Sequence, residues 1–232
     1  MQTTSSPISA TPSSDYKAVP FLGWCVLALA FVVMGFASQA TAEDTSTVFY
    51  QYSLAVRTIV IYALIAGVTF LLALPYENQS QALGLNPFRW KWVGIAIGLI
   101  IGVLIVGAIL EPFLHGGEEQ GLAPDEWEPD RAGAFLVNGI VISTVVPFVE
   151  ELFFRGLGVR ALRFLGSAAA ILITGVVFGL SHGILGALPP LALFGIAMAW
   201  VRLRSDSIWP GVMAHGAYNA LGVLIIYLQL AS

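Results

Sequence analysis

Charge is scarce in this chain. Only 10% of its 232 residues are Asp, Glu, Lys or Arg, whereas 57% are hydrophobic and the mean hydropathy is +0.84. Soluble domains carry roughly 25% charge, so there is too little polar surface here to cover a water-soluble body of this size. Cysteine is nearly absent. The single Cys25 excludes an internal disulfide and a thiolate metal cluster, and it reads as a small apolar filler of the first hydrophobic segment. Basic runs are missing as well, and with a net charge of −4 nothing suggests nucleic acid as a partner. There is no internal repeat and no soluble domain.

What the chain has is a succession of apolar runs. Residues 1–17 are rich in Ser, Thr and Pro and read as a disordered tail. Beyond them the runs cover 18–37, 54–74, 92–114, 132–149, 167–185, 188–201 and 208–230. A bilayer core of about 30 Å takes about 20 helical residues to cross. The expected fold is therefore all-α, a polytopic transmembrane bundle of about seven spans. Two runs are short. Pro189 and Pro190 suit the start of the sixth helix, and the fourth is expected to continue as helix through Glu150. The chain divides on this reading into the tail 1–17, amino-terminal spans and loops over 18–131, and a carboxyl-terminal core over 132–232.

The loops suggest an orientation. If seven helices alternate, Lys17, Arg89, Lys91, Arg155, Arg160, Arg163, Arg202 and Arg204 fall on one side. The other side holds Arg57 and Arg131, with Glu43, Asp44, Glu118, Glu119, Asp125, Glu126, Glu128 and Asp130. Lys and Arg in short loops mark the cytoplasmic face, so a multi-pass protein of the cell membrane with a cytoplasmic amino terminus is expected. Trp90, Trp92 and Trp209 stand where an interfacial aromatic belt would. Ala40-Thr41-Ala42 before Glu43 resembles a signal-peptidase site, but a long leader with Lys17 as its sole base speaks against cleavage.

Function must come from polar residues that the membrane should have excluded, since an ionisable group inside a span costs on the order of 3 kcal/mol. Glu111 and His115 lie near a span end, where water is close. The others gather in the last third: Glu150, Glu151 and Arg155 at the end of span four, His182 in span five, His215 and Asn219 in span seven. On a helix, i and i+4 share a face while neighbours point about 100° apart. Glu151 and Arg155 can pair, leaving Glu150 available for chemistry. Pro147 should kink the helix and free a carbonyl just before the acids. Phe178 and His182 share a face, as do His215 and Asn219. A carboxylate and two imidazoles from three helices can activate a water, with or without a metal, and Asn219 can donate to a developing oxyanion.

Each residue alone has a plainer reading. A lone membrane histidine is usually a packing residue, a lone Glu–Arg pair a structural clip, and Phe178 core filler. Gly179, Gly183 and Gly216 fit close helix packing. Co-occurrence on three spans outweighs these readings.

The three pairs, Glu150-Glu151-x-x-x-Arg155, Phe178-x-x-x-His182 and His215-x-x-x-Asn219, resemble the motifs of the CPBP (Abi) intramembrane proteases, the family that includes the CAAX prenyl endopeptidase. The resemblance covers about 132–230 and includes the Ser207-Ile208-Trp209-Pro210 lead-in. It implies an intramembrane endopeptidase in which Glu150 activates water, assisted by His182. His215 and Asn219 would stabilise the oxyanion, with Glu151 and Arg155 holding the site. The family was long described as metalloproteases. Glu150, His182 and His215 supply enough ligands for a catalytic zinc with one open position. A glutamate-activated water needs no metal, and that version is preferred.

One internal check concerns depth. At 1.5 Å per residue, His215 lies about 10 Å from Ile208 and His182 about 22 Å from Ser167. Convergence therefore requires span five to be tilted, broken or late in starting, and span four to extend inward. The expected partners are a peptide or membrane-protein substrate and the lipid bilayer. Two other functions compete: a catalytically silent scaffold, and a transporter using the polar cluster as an ion site.

Overall fold

The computed structural model describes residues 16–40, 47–115, 124 and 126–231. Residues 1–15 of the tail, Thr41 and Ala42 of the cleavage-like site, and Glu43, Asp44, Glu118, Glu119 and Asp125 lie outside the described residues. Within them all regular structure is helical. The elements are α1 (Ala18–Ala40), α2 (Tyr52–Leu72), α3 (Gln79–Leu83), α4 (Lys91–Leu114), α5 (Ala132–Glu150), α6 (Val159–Ala161), α7 (Ser167–Leu180), α8 (Leu188–Ser205) and α9 (Trp209–Leu230).

Backbone polar groups in lipid must be satisfied within the segment, which leaves helix as the solution for a single apolar run. Among the described residues five helices are long and apolar enough to cross a membrane: α1, α2, α4, α9 and the continuous rod Pro129–Ala161. Their outer faces carry exposed large apolar side chains, such as Leu22, Val26 and Leu29 on α1 or Ile97, Ile101 and Ile105 on α4. Such faces suit lipid and not water.

The fourth span does continue past Glu150, but its winding changes. Glu151–Gly158 is π-helical and wholly buried, and α6 closes the rod. At 1.5 Å per residue its 33 residues run to about 50 Å, well beyond a bilayer core of about 30 Å. The extension past Glu150 required for convergence is therefore present. Arg155, assigned above to a loop, sits inside this rod at 0% exposure. It is held there by its pairing with Glu151, and it drops out of the count of loop cations.

Two other boundaries differ from expectation. The fifth run stops as helix at Leu180, not at 185, so His182 lies in the turn that follows. Ser181 donates its hydroxyl to the Phe178 carbonyl at 2.7 Å, a local bond that competes with continued helix. The sixth run continues to Ser205, where Arg202 and Arg204 sit favourably in the last turn against the macrodipole. The helices α7 and α8 form a tight hairpin. A Cβ at Gly175 would stand 2.6 Å from the Ile196 nitrogen, so only the absence of a side chain allows this approach.

The main core surrounds the π segment. Leu152, Phe153, Phe154 and Leu157 are buried with Trp24 and Ala28 of α1, Phe178 of α7 and Met198 of α8. Half-buried Cys25 packs against this cluster. A smaller cluster of Phe49, Tyr50 and Phe135 caps the opposite end of the bundle. There Asn138 donates to the carbonyls of Phe49 and Gln51 at 2.8 and 3.0 Å.

Candidate active site

The site begins where α9 meets α5. Pro147 lies inside α5 and lacks the N–H that would bond the Ser143 carbonyl one turn back. Gly216 faces that carbonyl, and a Cβ there would stand 2.6 Å from the oxygen. The close approach brings the flanking residues of α9 onto α5. Asn219 donates its amide to the Ile142 carbonyl at 2.9 Å, which fixes the side chain and leaves its second N–H for another acceptor.

His215, one turn earlier, lies between the two glutamates. Its Nδ1 is 3.3 Å from Glu151 Oε1, and its Nε2 is 3.8 Å from Glu150 Oε2. Because a carboxylate only accepts, the Nδ1 contact requires hydrogen on Nδ1. Nε2 then carries hydrogen only in the imidazolium. Both acids are buried, Glu150 at 8% and Glu151 at 0% exposure. Burial of this kind is stable only with partners.

Glu151 finds its second partner in Arg155, with Nη1 3.1 Å from Oε1. The ion pair is expected from the spacing, but it falls in the π-wound stretch, and Nη1 lies outside hydrogen-bonding geometry. The guanidinium is enclosed by rings instead, 4.1 Å from the Phe178 centroid and 5.9 Å from those of Phe154 and Phe194. Desolvated contacts of this type contribute about 2 kcal/mol.

Glu150 is separate from that pair, and its first partner comes from an unexpected helix. Tyr62 of α2 donates its hydroxyl to Glu150 Oε1 at 2.8 Å. Sequence reasoning passed over Tyr62. The available signal was a lone phenol amid the apolar run 54–74, because a buried tyrosine hydroxyl seeks a partner. Phe194 of α8 was also missed. Its ring packs against His215 at 4.8 Å, and nothing in its sequence context marks it.

His182 joins the site through packing. Its ring contacts Phe178 at 4.8 Å, and Phe178 contacts His215 at 5.9 Å, so the two imidazoles flank one phenyl ring. The polar contact of His182 is with its own chain, Nδ1 at 2.8 Å from the Phe178 carbonyl. This leaves Nε2 as the nitrogen that faces other groups. Among the described residues no three His, Cys, Asp or Glu side chains are arranged to hold a metal ion. Glu150, His182 and His215 as placed do not form a zinc site.

Beside these residues an open groove of about 710 Å³ runs between α5 and α9, lined by Ser143, Thr144, Phe148, Trp209, Met213 and Gly216.

Buried carboxylates, an imidazole spanning them and an anchored amide form a set suited to moving a proton to and from water beside an acyl group. Residues 132–221 match the family described as Rce1-like, type II CAAX prenyl endopeptidase Rce1-like. No curated protein matches the chain, and no solved structure does. The matched stretch takes in Glu150, Glu151, Arg155, Phe178, His182, His215 and Asn219, so the segment that carries the site is the part of the chain similar to the Rce1-like family.

Proposed function

We propose that this protein hydrolyses peptide bonds within the membrane, with Glu150 as the general base that activates water. The observation that carries this is the setting of the Glu150 carboxylate. It is buried on a membrane-spanning rod, bonded at Oε1 by Tyr62 and facing His215 Nε2 at Oε2. One oxygen is thereby fixed, and the other is left beside a group that can share a water with it.

The steps follow from those atoms. Glu150 takes a proton from water, and the resulting hydroxide attacks the carbonyl carbon of the scissile bond. Charge develops on the carbonyl oxygen, where the imidazolium Nε2 of His215 and the second N–H of Asn219 are the available donors. As the C–N bond breaks, Glu150 returns the proton to the departing amine nitrogen. His182 assists proton movement through Nε2. Glu151 and Arg155 act as positioning residues by holding His215. No metal enters these steps. The groove between α5 and α9 supports approach of a peptide or membrane-protein substrate from the bilayer.

The amino terminus is assigned to the cytoplasm. Lys17, Arg160, Arg163 and Arg202 gather around one cavity at one end of the bundle, which supports that assignment by the preference of Lys and Arg for the inner face.

The test is cleavage of a prenylated CAAX peptide and of a broad peptide library by purified protein in detergent, with and without chelator. Glu150→Gln should lower kcat by about 10²–10⁴, the range of general-base contributions, and His182→Ala should also lower it. Undiminished cleavage by both variants would remove Glu150 from the mechanism.

A further inference from the structure

His182, unlike Glu150 and His215, stands outside a helix. It sits in the turn between α7 and α8, where its backbone N–H reaches the Gly179 carbonyl at 3.3 Å and that of Gly183 reaches the Leu180 carbonyl at 3.1 Å. Its ring is tied at Nδ1 to the Phe178 carbonyl. These bonds all run back to the end of α7. They fix the ring relative to the turn and leave the turn itself to be set by a neighbour.

That neighbour is α1. Its inner face is spaced by three and four residues, Pro20, Trp24, Ala28, Phe31 and Gly35, as one side of a helix requires. The first three are buried. Phe31 packs on Phe153 and Phe154 at ring-centroid distances of 5.2 and 5.7 Å, and Phe154 meets Phe178 at 5.4 Å. Gly35, one turn further, lies against the His182 turn. A Cβ at Gly35 would overlap the Ser181 carbonyl oxygen and stand 2.9 Å from the Ser181 carbonyl carbon and 3.0 Å from the Gly183 nitrogen. The contact is reciprocal. A Cβ at Gly183 would overlap the Gly35 carbonyl and stand 2.7 Å from the Phe36 nitrogen. Two glycines allow this approach of backbone to backbone, and Gly183 is also held at φ +71°, where a side chain is disfavoured. The obstacles are main-chain atoms, which cannot swing aside as a flexible side-chain tip can. The residues on either side of His182 are the ones that α1 touches.

We infer that Gly35 is a positioning residue for His182: through it α1 holds the 181–183 turn and sets where the imidazole Nε2 points. This rests on the reading of His182 as assisting proton movement. It extends the working site to a span outside the matched stretch 132–221.

The experiment compares full-length Gly35→Ala with wild type in detergent, by cleavage of the prenylated CAAX peptide and by histidine-selective nitrogen NMR. The chain has three histidines, and the His182 signals are identified by their loss in His182→Ala. Gly35→Ala should displace those signals and lower kcat by about tenfold to 10²-fold with KM unchanged, as a misplaced group that acts in the transition state does. Phe31→Leu, which loosens the same half of α1 without adding bulk, should displace them less. Gly23→Ala is the control, because its Cβ meets the methyl ends of the flexible Leu72 side chain, and it should leave the His182 signals in place. In a His182→Ala background Gly35→Ala should lower kcat no further. Signals unmoved by both Gly35→Ala and Phe31→Leu, an equal shift in Gly23→Ala, or losses that multiply in the double variant would overturn the proposal. Undiminished cleavage by His182→Ala, with the signals still displaced by Gly35→Ala, would instead remove His182 from the reaction and leave α1 as the element that holds it.

Discussion

Arg155 and Arg202 are both buried, and each pairs with a carboxylate four residues away, at 3.1 and 3.0 Å. In sequence the two look alike. Their partners do not: the Glu151 side chain is 1% exposed, and that of Asp206 is 67% exposed. Arg155 is sealed among three phenyl rings, whereas Arg202 borders an open cavity and bonds a backbone carbonyl. The closed pair can only hold geometry, because nothing can reach it. The open one borders solvent through Asp206. Exposure of the carboxylate, and not the spacing of the pair, separates a sealed ion pair from an accessible one.

Stability should break or sharpen that contrast most strongly. Arg155→Met leaves Glu151 buried without its cation, which costs about 3–5 kcal/mol for a buried pair. Arg202→Met leaves Asp206 in water, where losing an exposed partner costs about 1 kcal/mol or less. Thermal unfolding in detergent should rank them in that order, and equal losses would erase the distinction. Adding Glu151→Gln to Arg155→Met should recover part of the loss.

Next in size is Asn219→Ala. Loss of an oxyanion donor lowers kcat by about 10²–10³, with little change in unfolding, since the bond it surrenders is a single one to the Ile142 carbonyl. A fall in stability with kcat intact would make Asn219 a helix clip only.

The smallest effect is expected of Tyr62→Phe. Removing one hydrogen bond to a charged group corresponds to about 1.5–3 kcal/mol, and because Glu150 retains His215 beside it the lower end applies, about tenfold in kcat. An unchanged kcat would reduce Tyr62 to packing.

The spans were legible because an apolar run long enough to cross a bilayer has few alternatives to helix. The motif residues other than Phe178 stood out because each was a polar group in a place that lipid penalises. Their mutual contacts were harder to read. Helices that are apolar all round, such as α2, do not declare which face meets a neighbour, so Tyr62 could not be assigned to Glu150 from its own run. Arg155 looked like a loop cation because the extent of the rod depends on the burial of the π segment by α1, α7 and α8. The early end of α7 turned on a single Ser181 hydroxyl. The basic cavity draws on four separated stretches of chain, and only the assembled bundle brings them together.

The π winding of Glu151–Gly158 has a consequence for the residues on either side of it. The rod is a shaft with Glu150 just before the wound stretch and Arg160 just after it, so the winding sets the angular phase between the carboxylate and the basic cavity. A π turn holds one more residue than an α turn, so deleting one residue would let the stretch rewind as α-helix with both faces kept. An added residue would instead turn Arg160 away from Tyr76 while Glu150 stayed in place.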